Sequence, residues 1–264
     1  MWNRIKPILG YVGKLNIPVY AAHAGYFMIL AVFPLLVLLM GLLRHTGIAV
    51  QTLTDGLRGF VPEALMPAAK RLILGAYQNT SGTVLSLSAL IALWSASRGI
   101  YGLRKGLNAI YHVEESRGYF YTRGVSVIYT LLFLGVLVLT LVLSVFGNTI
   151  ARYFPVSFFA DVVDLRFVVL LTLQTALFCA MFMVLPNQKN KLFASLPGAV
   201  LASVGWMGFS KLYSVYVERF TGMSNIYGSV YAVALSMLWL YCCISIVFYG
   251  GALNYWLKNR KIFH

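Results

Sequence analysis

Long apolar blocks separated by short polar connections make up most of the chain. Six of them reach about 20 residues or more, which is long enough for a helix to cross ~30 Å of hydrocarbon at 1.5 Å per residue. None shows the alternation of apolar and polar residues that a membrane β-strand needs. The pattern therefore predicts an all-α bundle of six transmembrane helices in one integral membrane domain, 1–264. The predicted spans lie near 19–43, 82–101, 125–146, 167–185, 193–213 and 227–257.

The segment between the first two blocks has a different pattern. Residues 47–78 mix apolar and charged positions, and are neither apolar enough to span a membrane nor polar enough to float free of it. Pro62 stands where it can open a helix, and Pro67 is expected to bend or restart that helix. We expect short amphipathic helices here, on the outer surface or capping the bundle.

Composition supports a membrane protein and limits the meaning of the charge. The chain is 60% hydrophobic and only 11% charged, with a mean hydropathy of +0.79. Soluble domains are about 45–50% apolar and about a quarter charged. The net charge of +14 is best interpreted as attraction to anionic lipid head groups, at ~1 kcal/mol for each juxtamembrane Lys or Arg. No nucleic-acid partner is expected, because no recognised RNA-binding motif accompanies the charge.

The distribution of Lys and Arg predicts the orientation. Of the 21 such residues, 13 fall in the two termini, in the last turn of the second predicted span and in the loops after the second and fourth predicted spans. Positively charged loops stay on the cytoplasmic side. Both termini are therefore predicted to be cytoplasmic in a multi-pass membrane protein.

Small residues recur at helical spacing in two of the blocks. In a helix, residues three and four apart lie on one face, and small side chains there let a neighbouring backbone approach closely. Both sets are interpreted as helix-packing faces. They are Ser95, Gly99, Gly102, Gly106 and Ala109 in the second block, and Gly198, Ala202 and Gly205 in the fifth.

A basic, aromatic stripe marks the end of the second block. At 100° per residue its members fall within roughly 80° of one another, about a quarter turn from the glycine face. A cation at the membrane boundary must snorkel, pair or face a wet cavity. The stripe is interpreted either as an ordinary anchor belt or as a site for a lipid head group or another anion. Its members are Trp94, Arg98, Tyr101, Lys105, Asn108 and His112, with Arg104 at its edge.

Catalytic and metal-binding patterns are missing from the sequence. None of the seven acids lies in the middle of a predicted span, which disfavours a proton or sodium relay. The four histidines are widely scattered, without the paired acids that metal-assisted hydrolysis requires. We predict no enzyme activity, no metal and no cofactor. His23, Gln174 and Asn254 are expected to form hydrogen bonds between helices, with contact to a substrate as the alternative.

Four segments resemble the YihY/BrkB family of bacterial inner-membrane proteins, in order along nearly the whole chain. They read GYFMILAVFPLLVLL, LWSASRGIYGLRKGLNAIY, VLPNQKNKLFASLPGAVLASVGW and SNIYGSVYAVALSMLWLYCCISIVFYGGALN. The resemblance implies a six-helix protein of poorly defined activity, connected with serum resistance and the cell envelope. The family long carried a ribonuclease BN label, which the scattered histidines of this chain do not support. Where relatives often carry Glu near the end of the last span, this chain carries Ala252.

These observations lead to one hypothesis and one alternative. The hypothesis is a protein that binds an anionic amphipathic envelope molecule, most plausibly a lipid, and in its stronger form translocates it. The stripe would hold the head group, and Asn225 and Tyr227 would form a second contact at the opposite face. The alternative is a non-transporting scaffold for envelope proteins. No pattern in the sequence predicts an oligomeric state.

Overall fold

The computed structural model describes most of the predicted spans and part of the first external segment. It covers residues 13, 15–46, 51, 54–55, 61, 63–78, 82–118, 120–122, 124–129, 165–219 and 224–259. The described residues are helical or lie in turns and connections, so an all-α fold is confirmed over these ranges. Most of the predicted third span, 125–146, lies outside the described residues.

Seven helices have defined bounds. They are α1 (Ile17–Thr46), a short 3-10 helix (Glu63–Leu65), α2 (Met66–Gln78), α3 (Gly82–Ile110), α4 (Leu165–Val184), α5 (Leu192–Arg219) and α6 (Ser224–Lys258). Residues 120–122 and 124–129 are also helical.

Three of these helices contain stretches long and apolar enough to cross a membrane: Gly82–Ile110, Leu192–Val217 and Val230–Lys258. Ile17–Val32 and Leu170–Val184 are shorter apolar helical stretches within α1 and α4. The helices begin near the predicted positions, but α3 continues nine residues past the predicted end at 101. The count of six spans stays a prediction, as does an amphipathic, membrane-surface role for the 3-10 helix and α2.

The described helices pack side by side in an order that differs from their order along the chain. α1 packs against α3 along much of its length, and also against α6. α6 packs against α5, which in turn packs against α4. The order α3, α1, α6, α5, α4 places the basic stripe of α3 beside the first helix of the chain.

The glycine face of α3 makes the close helix contact that its spacing predicts. A Cβ added at Gly102 would lie 2.6 Å from His23 Nδ1 and 3.2 Å from the Ala24 Cα of α1. A Cβ at Gly106 would lie 2.5 Å from the Phe248 ring of α6. Glycine is required here because any larger residue would push α3 away from its two neighbours.

The seam between α5 and α6 is the tightest backbone contact in the described chain. A Cβ added at Gly198 would collide with the Gly250 carbonyl oxygen of α6. Asn254 bridges the same place: its Oδ1 accepts from Gly198 N at 2.7 Å, and its Nδ2 donates to Ser195 O at 3.0 Å. The predicted interhelical role of Asn254 is confirmed. Asn254 joins the two helices next to Pro197, whose backbone nitrogen has no hydrogen to donate.

Further hydrogen bonds join α5 and α6 farther along. Trp239 Nε1 donates to Ser210 Oγ at 3.0 Å, and the Tyr213 hydroxyl donates to Leu235 O at 2.8 Å. Few polar side chains are available inside the bundle, and these connect the two helices over much of their length.

One end of the bundle carries ordered polar connections. Residues 111–118, which follow α3, meet residues 185–191, which join α4 to α5. We call this the polar-loop end. The predicted orientation assigns it to the cytoplasm.

Candidate functional site

The end of α3 is set by a left-handed residue. His112 has φ of 51°, the region that glycine usually occupies after a helix. The His112 N–H donates to Ala109 O at 3.3 Å, and the Val113 N–H donates to Asn108 O at 2.9 Å. This pair of hydrogen bonds is a Schellman motif, which turns the chain back towards the bundle. The exposed His112 ring lies 5.3 Å from the Tyr255 ring, centroid to centroid.

The outer half of the stripe forms an open basic and aromatic surface between α1 and α3. Trp94 is 52% exposed, and the Arg98 guanidinium lies 5.5 Å from the centroid of its ring. The same guanidinium lies 5.9 Å from the Phe27 ring centroid of α1. One turn further on, the exposed Lys105 ammonium lies 5.1 Å from the Tyr101 ring centroid. Cations are attracted to aromatic faces at these distances.

Arg98 is half-buried and incompletely hydrogen-bonded. Its Nε atom is buried and has no hydrogen-bond partner among the described residues. Its two aromatic contacts hold the guanidinium in place but accept no conventional hydrogen bond. The described part of the chain places no carboxylate in an ion pair with Arg98 or Lys105; the ion pair defined there joins Arg104 to Glu115.

His23 of α1 completes this surface, which is unexpected from the sequence. The ring lies against Gly102, and Arg98 and Lys105 are its electrostatic neighbours. It also contacts the Phe27 ring, with 5.2 Å between centroids. This role depends on the packing of α1 against the glycine face of α3. The spacing of residues within one helix does not predict which other helix packs there. We name His23, Trp94, Arg98, Tyr101 and Lys105 the α1/α3 patch.

The inner half of the stripe, Arg104 and Asn108, is buried against other residues of the same chain. Arg104 is only 2% exposed, and its Nε lies 3.2 Å from Glu115 Oε2. The buried Asn108 donates from Nδ2 to the same carboxylate oxygen at 2.9 Å, and its Oδ1 accepts from Asn187 N at 2.8 Å. In the folded chain Glu115 contacts both Arg104 and Asn108, and Asn187 contacts Asn108. Direct contact of Arg104 and Asn108 with a head group stays a prediction. Arg104 Nη1 is also buried without a partner among the described residues.

This polar cluster extends across the polar-loop end. Asn187 Nδ2 donates to Glu114 O and to Ser116 Oγ, both at 2.8 Å. Arg117 donates to Pro186 O at 2.8 Å, and its backbone N–H donates to Glu115 Oε1 at 3.1 Å. The segment after α3 is thereby connected to the segment after α4.

The predicted opposite-face site is described only in its backbone. Asn225 and Tyr227 belong to the first turn of α6, and their side chains lie outside the described residues. Their contact with a ligand stays a prediction. Within the ranges that the structure describes, no group of three or more His, Cys, Asp and Glu side chains could hold a metal ion.

Comparisons with known proteins place the chain in a family. The family model described as virulence factor BrkB matches residues 9–263. A protein of Bacillus subtilis (strain 168) named ribonuclease-like protein YfkH is 30% identical over 249 residues, covering 91% of this chain and 90% of that protein. A UPF0761 membrane protein of Vibrio vulnificus (strain YJ016) is 24% identical, covering 97% of this chain and 83% of that protein. No solved structure matches the chain. This chain, with its apolar helices and its ordered match to the family, is a membrane protein of the virulence factor BrkB family.

Proposed function

We propose that the α1/α3 patch binds the head group of an anionic amphipathic lipid. The observation that carries the proposal is the buried Arg98 Nε, which has no hydrogen-bond partner among the described residues. A buried donor left without an acceptor costs free energy, and a hydrogen bond to a charged partner recovers about 1.5–3 kcal/mol. A phosphate oxygen is a strong acceptor for a guanidinium group.

The surroundings of Arg98 support a ligand that is both anionic and apolar. Lys105 adds a second positive charge, while Trp94 and Tyr101 present aromatic surface beside it. Aromatic rings with polar edges and long cationic side chains are typical of the boundary between lipid tails and head groups. A lipid with a phosphate head group satisfies both halves of this surface.

An ordinary anchor belt would show the same residue types without a defined site. It would attract anionic lipids in proportion to charge, at ~1 kcal/mol for each Lys or Arg, wherever the charge lies. The α1/α3 patch should instead bind with defined stoichiometry and depend on Arg98 more than on another exposed cation.

Lipid binding to the reconstituted full chain tests this difference. Native mass spectrometry and titration with phosphatidylglycerol, against phosphatidylcholine as the neutral lipid, should give a saturable anionic-lipid complex. Arg98→Ala should weaken that complex about tenfold, which corresponds to about 1.4 kcal/mol. Lys70→Ala is the matched control, because Lys70 is an exposed cation on α2 outside the patch. Equal small effects of the two substitutions, or binding that does not saturate, would favour the anchor belt.

Translocation is the stronger form of the proposal and has its own assay. In vesicles with a labelled anionic lipid, transfer between leaflets should exceed that in empty vesicles and should slow in Arg98→Ala. Transfer at the rate of empty vesicles, with saturable binding intact, would reject translocation and leave binding standing. A stoichiometric protein partner in crosslinking experiments, with no bound lipid, would favour the scaffold alternative.

A further inference from the structure

One face of α3 changes from apolar to cationic along the helix. Leu87, Ile91 and Trp94 are 58%, 44% and 52% exposed, and they are followed on the same face by Arg98 and Lys105. The five residues share this face because consecutive members are three, four or seven positions apart. A single stripe of α3 therefore runs from apolar surface to two successive cations.

The two cations are separated along the helix axis. At about 1.5 Å per residue, the seven residues between them place Lys105 roughly 10 Å beyond Arg98. The Arg98 guanidinium lies 5.5 Å from the Trp94 ring centroid, and the Lys105 ammonium lies 5.1 Å from the Tyr101 ring centroid. Each side chain leans towards an aromatic residue four positions before it, so the charged groups keep about the separation of their Cα atoms.

This separation becomes a difference in depth when α3 crosses a bilayer. α3 contains a stretch long and apolar enough to span a membrane, and spanning helices are tilted on average by about 20° from the bilayer normal. Lys105 is five residues before the end of α3 at Ile110, whereas Arg98 is twelve residues before it. Arg98 is therefore nearer the lipid tails, and Lys105 is nearer the water at the polar-loop end.

The order of these groups indicates how an anionic lipid would lie on α3. Its tails would cover Leu87, Ile91 and Trp94, and its first phosphate would reach Arg98. Lys105 would then need a second anionic group that is farther from the tails than the first. A lipid with one phosphate lacks that group, and a lipid with two phosphates side by side presents both at the depth of Arg98.

His23 of α1 lies between the two cations. A Cβ added at Gly102, which stands between Arg98 and Lys105 along α3, would lie 2.6 Å from His23 Nδ1. The His23 side chain is exposed. An imidazole can donate a hydrogen bond to one hydroxyl group and accept one from another. The middle of the patch therefore suits a hydroxyl-bearing group, such as a sugar ring, between two phosphates.

We propose that the α1/α3 patch selects lipids whose head group carries two phosphates in succession along the bilayer normal, the first at Arg98 and the second at Lys105. This inference rests on the proposed binding of an anionic lipid at the patch and adds the class of head group.

Three lipids with matched acyl chains separate depth from total charge. Phosphatidylinositol 4-phosphate carries its second phosphate across the inositol ring, phosphatidylinositol lacks this phosphate, and cardiolipin carries two phosphates side by side on one glycerol. Each is titrated against the reconstituted full chain and followed by native mass spectrometry. Phosphatidylinositol 4-phosphate should bind about tenfold more tightly than phosphatidylinositol, because Lys105 gains a charge-assisted hydrogen bond.

Substitution of Lys105 tests which residue gives this preference. Lys105→Ala should weaken binding of phosphatidylinositol 4-phosphate about tenfold, and binding of the other two lipids by about twofold or less. Lys105→Arg keeps the charge and should retain the preference. Lys191→Ala is the matched control, because Lys191 is an exposed cation of the polar-loop end outside the patch. It should change none of the three affinities by more than about twofold.

The outcomes distinguish this inference from the proposed function. The two-phosphate inference is overturned if phosphatidylinositol 4-phosphate binds no more tightly than phosphatidylinositol, or if Lys105→Ala weakens all three lipids equally. Saturable binding of phosphatidylinositol that depends on Arg98 would in that case still support the proposed function. Failure of all three lipids to saturate the wild-type chain would reject both.

Discussion

Substitution of Glu115 by Gln should destabilise the bundle by leaving Arg104 as a buried, uncompensated cation. Arg104 is 2% exposed, whereas the Glu115 side chain is 28% exposed. Breaking a fully buried ion pair by removing one partner costs about 3–5 kcal/mol. Two features reduce this value: water reaches Glu115, and Arg104 keeps its cation–π contact with Tyr101 at 5.3 Å. We expect a loss of about 2 kcal/mol in the free energy of unfolding, below the fully buried range and above the ~0–1 kcal/mol of a surface pair.

Reversible unfolding in mixed detergent micelles, followed by far-UV circular dichroism, measures this loss. Glu114→Gln is the control, because Asn187 contacts the backbone carbonyl of Glu114 and not its carboxylate. The double variant Arg104→Met/Glu115→Gln should be more stable than Glu115→Gln alone, since it removes the stranded charge. A Glu115→Gln variant within about 0.5 kcal/mol of the parent, no different from Glu114→Gln, would refute a buried ion pair at this position.

Three other substitutions test the packing and the helix end by the same unfolding measurement. Gly198→Ala should cost at least about 2 kcal/mol because its methyl group meets the Gly250 carbonyl, whereas Gly208→Ala, with open space around it, should cost nothing. Asn254→Leu should cost about 1–3 kcal/mol, because it removes two buried hydrogen bonds between α5 and α6; an unchanged midpoint would mean that these two hydrogen bonds do not hold the helices together. His112→Gly should stabilise by up to about 1 kcal/mol by relieving the left-handed backbone, while His112→Ala keeps that conformation and should destabilise.

The helices and their packing faces were predictable because they depend on local periodicity. Apolar length indicated where α1 and α3 to α6 begin, and the three-and-four spacing of Gly99, Gly102 and Gly106 identified the face of α3 that touches its neighbours. The prediction of an interhelical Asn254 also held, since an amide deep in an apolar segment needs partners.

The site was only partly predictable because its inner half depends on distant residues. Angular position alone placed Asn108 with the exposed members of the stripe. In the structure it is bonded to Asn187, 79 residues later in the chain, and to Glu115 after the Schellman turn. The extension of α3 past residue 101 and the return of the chain at His112 produce these contacts. His23 was singled out as an interhelical residue, but its place beside Arg98 and Lys105 was not predicted, because these neighbours lie on another helix.

The hydrogen bonds along the seam of α5 and α6 have a mechanical consequence. Hydrogen bonds of Asn254, Trp239 and Tyr213 join the two helices at three points along their length, and at Gly198 the two backbones are in close contact. If this pair stays fixed, alternating exposure of a lipid to the two leaflets would require α1 and α3 to move, and α3 could do so only by giving up its Gly106 contact with Phe248 and its Asn108 hydrogen bond with Asn187. The moving element would then be the one that carries the α1/α3 patch.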